Sequence, residues 1–112
     1  MSRIDERAIG ELRDLMGDEF GALIQAFAAD SRAQIDAIDA ALAAADAERV
    51  RRYAHSMRGA CVNLGANVLA DLCERVELSG RAGDCGAAGT LMPSLKRELD
   101  AVGSELSRYI RH

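Results

Sequence analysis

The stretch DAERVRRYAHSMRGACVNLG, Asp46 to Gly65, decides how the chain is read. Asp46 is an N-cap residue type whose carboxylate is suited to accept from the free N–H groups of a first helical turn. Gly65 closes the segment, where a left-handed stop carries no Cβ penalty. At about 100° per residue, Val50, Tyr53, Ala54, Ala60, Cys61 and Leu64 all fall within about 60° of Met57. One face of this helix is therefore apolar and expected to be buried. His55 falls at about 160° from Met57, on the opposite face. Arg51, Arg52 and Arg58 flank it there, with Gly59 one turn beyond and Val62 two turns along.

The flanking segments keep the same period. A first helix is predicted over Ile4 to Met16, closed by Gly17. Asp18 is placed as the N-cap of a second helix running to about Ala45. Its Phe20, Leu23, Ile24, Phe27, Ile35, Ile38 and Leu42 recur at threes and fours. A further helix is predicted over Asn67 to Ser79, burying Leu69, Leu72, Cys73 and Val76, and Gly80 to Asp84 reads as a loop. The last helix carries Leu91, Leu95, Leu99, Val102, Leu106 and Ile110. Pro93 fits a first helical turn, so its start is placed near Thr90. Ala, Leu, Arg and Glu dominate, and nothing alternates with a period of two for long. Short links between amphipathic helices favour antiparallel neighbours. The expected fold is all-α: an antiparallel up-down four-helix bundle with a short extra N-terminal helix, forming one domain over residues 1–112.

Composition narrows the function. With 112 residues, 49% apolar and 29% charged, the chain has room for one core and none for a second catalytic module. Fourteen Lys and Arg against eighteen Asp and Glu leave a net charge of −4, which argues against general nucleic-acid binding. Two Phe, two Tyr and no Trp exclude a base-stacking platform or an aromatic cage. The longest uncharged run, Gly59 to Ala70, is twelve residues; a membrane-spanning helix needs roughly 18–20 apolar ones. Met1 to Arg7 lack the apolar centre of a secretory leader, so a soluble, cytoplasmic protein is expected. Cys61, Cys73 and Cys85 form no C-x-x-C clip and are read as buried free thiols.

The chemistry concentrates at His55. A histidine facing water is either an ordinary solvated side chain or a working one, and its neighbours favour the second. A glycine inside a helix costs about 1 kcal/mol relative to alanine. On a water-facing surface, Gly59 lowers the relief beside the imidazole and lets another body approach. Val62 adds exposed apolar area, as a docking surface does. The arginines surround the ring with positive charge, and Arg58, at i+3, reaches an anion held on it. A neutral imidazole nitrogen attacks phosphorus, and the resulting phosphohistidine is stabilised by a guanidinium. The other ring nitrogen needs a partner that fixes its tautomer. Glu77, at the edge of its helix's apolar stripe, is placed to supply that contact across to the neighbouring helix; a solvated flank carboxylate is the equal alternative.

Read together, these residues resemble a histidine-containing phosphotransfer (HPt) domain. Ala54-His55-Ser56-Met57-Arg58-Gly59-Ala60, continuing to Asn63-Leu64-Gly65-Ala66, is similar to the family pattern A-H-x-[LM]-K-G followed by N-[LF]-G-A. Leu69, Leu72, Cys73, Glu77 and Gly80-Arg81 approximate its L-x-x-L-C-x-x-L-E-x-x-x-R run. Met16 to Phe20 and Phe27 to Asp30 look like its opening helices, so the resemblance covers nearly the whole chain. It implies that His55 accepts and donates a phosphoryl group, that Arg58 sits beside the phosphate, and that Glu77 hydrogen-bonds the ring. Arg51, Arg52, Gly59 and Val62 are then the docking surface. Arg58 stands where the family favours Lys; it keeps the charge but is bulkier and planar. The implied partners are the receiver domain of a hybrid sensor kinase and a response regulator, in a phosphorelay, and the Ala- and Arg-rich composition points to a bacterial source. The receiver supplies Mg²⁺, and this chain, expected to be a monomer, needs no cofactor of its own.

The sequence contains no G-x-x-x-x-G-K-[ST] and no Gly-rich nucleotide loop, so a phosphoryl carrier is favoured over a self-sufficient enzyme. The rival reading is a helical module that binds or sequesters receivers without being phosphorylated, but sequestration alone needs no nucleophile. A metal site from His55, His112 and the cysteines fails on spacing, because no two candidates share a turn.

Overall fold

In the computed structural model, which describes residues 2–110, the chain forms five α-helices and a closing 3₁₀ turn. They are α1 (Glu6–Met16), α2 (Glu19–Ala43), α3 (Ala47–Asn63), α4 (Asn67–Arg81) and α5 (Cys85–Ser107), with the 3₁₀ turn at Arg108–Ile110. No strand occurs among the described residues. Three-residue turns join α2 to α3, α3 to α4 and α4 to α5. Each of these four helices packs on the next and α5 returns to α2, so they ring one helical-bundle core, with α1 lying on α2.

Caps set most of the boundaries. Asp5 accepts from the Ala8 N–H, Asp46 from Arg49 (3.1 Å) and Asp84 from Ala87 (2.9 Å), each satisfying one of the donors a helix start leaves free. The expected Asp18 cap is not made. Asp18 is already helical (φ −63°, ψ −22°) and the Phe20 N–H goes to the Gly17 carbonyl at 3.1 Å. The Gly17 turn is so tight that the backbone satisfies the donor itself. Alpha-2 stops at Ala43 rather than Ala45, because Ala45 turns left-handed (φ +52°) to send the chain into α3. Alpha-1 starts at Glu6, and Ile4 plugs into the core ahead of it.

The largest departures lie around the α4–α5 turn. Gly80 and Arg81 belong to α4, and α5 begins at Cys85 instead of near Thr90. Pro93 therefore sits inside a helix. Its ring is exposed and Gly89, whose carbonyl loses its partner, lies one turn before it. The Asp84 cap and the burial of Ala88 and Met92 hold the first turns on the core. At the far end, Ile110 leaves α5 for the 3₁₀ turn.

The core matches the predicted stripes. Phe20, Ile24, Phe27, Ile35 and Ile38 of α2 meet Val50, Ala54, Met57 and Cys61 of α3, with Leu69, Cys73 and Val76 of α4 and Leu95, Leu99, Val102 and Leu106 of α5. Leu23, Leu42, Tyr53, Ala60, Leu72 and Leu91 are only half-buried at its margin. Cys61 and Cys73 are free and buried, and Cys85 is half-buried at the start of α5. No helix is long and apolar enough to cross a membrane among the described residues.

Gly80 explains how closely α3 and α4 approach. A Cβ there would stand 2.8 Å from the Arg51 backbone nitrogen and 2.9 Å from the Ala47 carbonyl oxygen. What reads as loop punctuation in the sequence is the contact point of two helices. A Cβ on Gly59 would meet nothing within 4 Å. Two opposite outcomes follow in urea unfolding. Gly80→Ala lowers stability by about 1–3 kcal/mol, because backbone cannot move aside as a side chain can. Gly59→Ala raises it by up to about 1 kcal/mol through helix propensity alone.

Candidate functional site

The close α3–α4 seam brings His55 and Glu77 together. Helix α3 points His55 outward, with its side chain 59% exposed, while α4 buries Glu77 to 5%. The His55 Nδ1 and Glu77 Oε2 are 2.9 Å apart. Arg58, one turn after His55, donates from Nε to Glu77 Oε1 at 3.2 Å. Arg81, one turn after Glu77, donates from Nη2 to Oε2 at 3.3 Å.

A carboxylate removed from water needs charge partners and hydrogen bonds to remain ionised. Here both of its oxygens have them. Ionised Glu77 is an acceptor only, so Nδ1 of a neutral His55 carries the proton and Nε2 keeps its lone pair. The bond thus selects both a tautomer and a ring orientation. The result is an exposed nucleophilic nitrogen on a ring anchored from behind.

The other sequence candidates divide. Arg52 is exposed on the His55 face, and so are Gly59 and Val62, the latter 55% exposed. Arg51 is turned back to Glu48, with Nε 3.1 Å from each carboxylate oxygen, and its backbone lies beneath Gly80. That hydrogen-bonded guanidinium holds the Glu48 carboxyl below its ordinary pKa. Arg51 therefore enters the surface as half of an ion pair rather than as a free cation. The solvated-flank alternative for Glu77 is overturned by its burial.

Arg81 was missed as a partner of Glu77 because the Gly80 to Asp84 loop expectation ended the helix too early. Once α4 runs to Arg81, the Glu77–Arg81 pair is an ordinary i, i+4 contact with the acid on the N-terminal side. Cys73 offers no rival nucleophile: contact with the Cys61 sulfur and burial push its thiol well up from the ordinary value. No group of three metal-ligating side chains exists among the described residues, and His112 lies outside them.

An exposed imidazole backed by a buried carboxylate, on an all-helical bundle, is suited to phosphoryl transfer. The sequence profile of the Hpt domain family matches residues 22–105, and the chain belongs to that family. The structure is similar to the crystal structure of histidine-containing phosphotransfer protein B (HptB) from Pseudomonas aeruginosa PAO1. The TM-score is 0.91 at 33% sequence identity, covering 98% of this chain and 96% of that one. Sensor protein TorS of Escherichia coli (strain K12) is 31% identical over 75 residues, which are 66% of this chain and 8% of that sensor's length. The chain is accordingly a phosphotransfer module of two-component signalling.

Glu77→Ala removes the charge that pairs three cationic or donor groups. Breaking a fully buried pair costs about 3–5 kcal/mol. Arg58 and Arg81 are partly exposed and regain water, so the expected loss is smaller, about 1–3 kcal/mol by urea unfolding, with helical content retained.

Proposed function

We propose that the chain relays a phosphoryl group between receiver-domain aspartates, with His55 as the intermediate carrier. The observation that carries this reading is the 2.9 Å contact between Nδ1 of an exposed His55 and the buried Glu77. A module that merely held receivers would have no use for a buried carboxylate orienting a solvent-facing ring.

In the proposed step, Nε2 attacks the phosphorus of a receiver's aspartyl phosphate. The N–P bond forms, the aspartyl O–P bond breaks, and its electron pair returns to the aspartate carboxylate. The ring becomes cationic as the new bond forms, and Glu77 faces that charge across Nδ1–H. Most of the barrier in phosphoryl transfer is lowered by in-line positioning and charge neutralisation, which a fixed ring supplies. Arg58 turns from Glu77 to the phosphoryl oxygens once they sit on the ring. Gly59 and Val62, with Arg52 and the Arg51–Glu48 pair beside them, form the surface on which the receiver docks.

The finer picture belongs to the same proposal. The ring of long helices is an antiparallel up-down four-helix bundle with α1 as the extra N-terminal helix, in keeping with its three-residue turns. Residues 1–112 are one domain, supported by a core reaching from Ile4 to Leu106. It works as a cytoplasmic monomer between a hybrid sensor kinase's receiver and a response regulator, without nucleic acid or membrane. Mg²⁺ is assigned to the receiver, and the chain takes no cofactor.

Incubation with a phosphorylated receiver and Mg²⁺ tests the reading. The wild type takes up acid-labile, base-stable label and His55→Gln takes up none; label on His55→Gln, or none on the wild type, overturns it. Arg58→Ala slows uptake about tenfold, the size expected for one lost charge-assisted hydrogen bond, and leaves the circular dichroism spectrum unchanged.

A further inference from the structure

Glu77 has two guanidinium partners, and they ride on different helices. Arg58 shares α3 with His55, three residues away, and Arg81 shares α4 with Glu77 itself. If Arg58 follows the phosphoryl group, Glu77 Oε1 loses its donor while the carboxylate stays buried. Arg81 has no such second task on α3. Its Nη2 stays on Oε2, the oxygen that also faces His55 Nδ1. It also sits in the last turn of α4, where the helix dipole favours a cation.

We infer that Arg81 is a positioning residue: from the end of α4 it holds the Glu77 carboxylate aimed at His55 Nδ1, leaving Arg58 free to meet the phosphoryl group. The inference rests on the relay reading for its consequence and on the Glu77 geometry for its cause. Arg81 hydrogen-bonds Glu77 and makes no hydrogen bond to the ring among the described residues, so the proposed action is through Glu77.

The test crosses Arg81→Ala and Arg81→Lys with Glu77→Gln in the full chain. The first readout is the ¹⁵N NMR tautomer of His55 in the unphosphorylated protein. The second is the initial rate of uptake from a phosphorylated receiver. In the Glu77 background, Arg81→Ala mixes the tautomers and lowers the rate about 3- to 10-fold, at the weak end of what partners behind a working imidazole contribute. Arg81→Lys, which keeps a donor and the charge, recovers most of both. In the Glu77→Gln background, Arg81→Ala changes either readout less than about twofold, as coupled neighbours require. Unchanged tautomer and rate in Arg81→Ala overturn the inference. So does a loss of equal size in both backgrounds, which would mean that Arg81 meets the receiver directly. A wild type that takes no label but whose tautomer still responds to Arg81 overturns the relay and leaves the positioning role standing.

Discussion

The structure is organised around one buried charge. A carboxylate at the seam between two helices is costly unless every oxygen is met by a donor and the charge is countered. Glu77 meets that condition only because α3 supplies His55 and Arg58 while α4 supplies Arg81. The same condition couples stability to function. The groups that neutralise Glu77 are the groups around the exposed ring, so holding the helices in register and orienting the imidazole are one interaction. Gly80 makes it geometrically possible, since a side chain there would press α3 away from α4.

The rest of the molecule holds that seam rigid. Alpha-2 and α5 complete the ring and bury an aliphatic core beneath His55, with Ala54, Met57 and Cys61 on the inner face of the same helix. Close packing leaves α3 little freedom to rotate, so the outward direction of His55 is set by the inward direction of its neighbours. The outer face is then left to residues with no packing duty: Arg52, Gly59 and Val62.

Most of the fold was legible in advance because helix periodicity is a local property. The apolar stripes, the Asp46 cap and the Gly65 stop follow from spacing and cap chemistry within a few residues. Misreadings arose where a residue type carries two meanings. Glycine marks loops and also close helix crossings, and Gly80 is the second kind. Proline marks a first turn unless its ring points to water and its helix is held elsewhere, as at Pro93 on α5. Asp18 has the right chemistry for a cap, but the Phe20 N–H it would meet is already taken by the Gly17 carbonyl.

The sequence by itself determined that the chain is helical, which face of each helix is apolar, and that His55 stands opposite the buried face, because these depend on intervals of a few residues. Only the tertiary structure decided that Glu77 is buried against His55 rather than solvated, and that Arg58 reaches across to it. Those relations join residues some twenty positions apart across a helix seam. The closeness of that seam is a property of packing, which no local interval records.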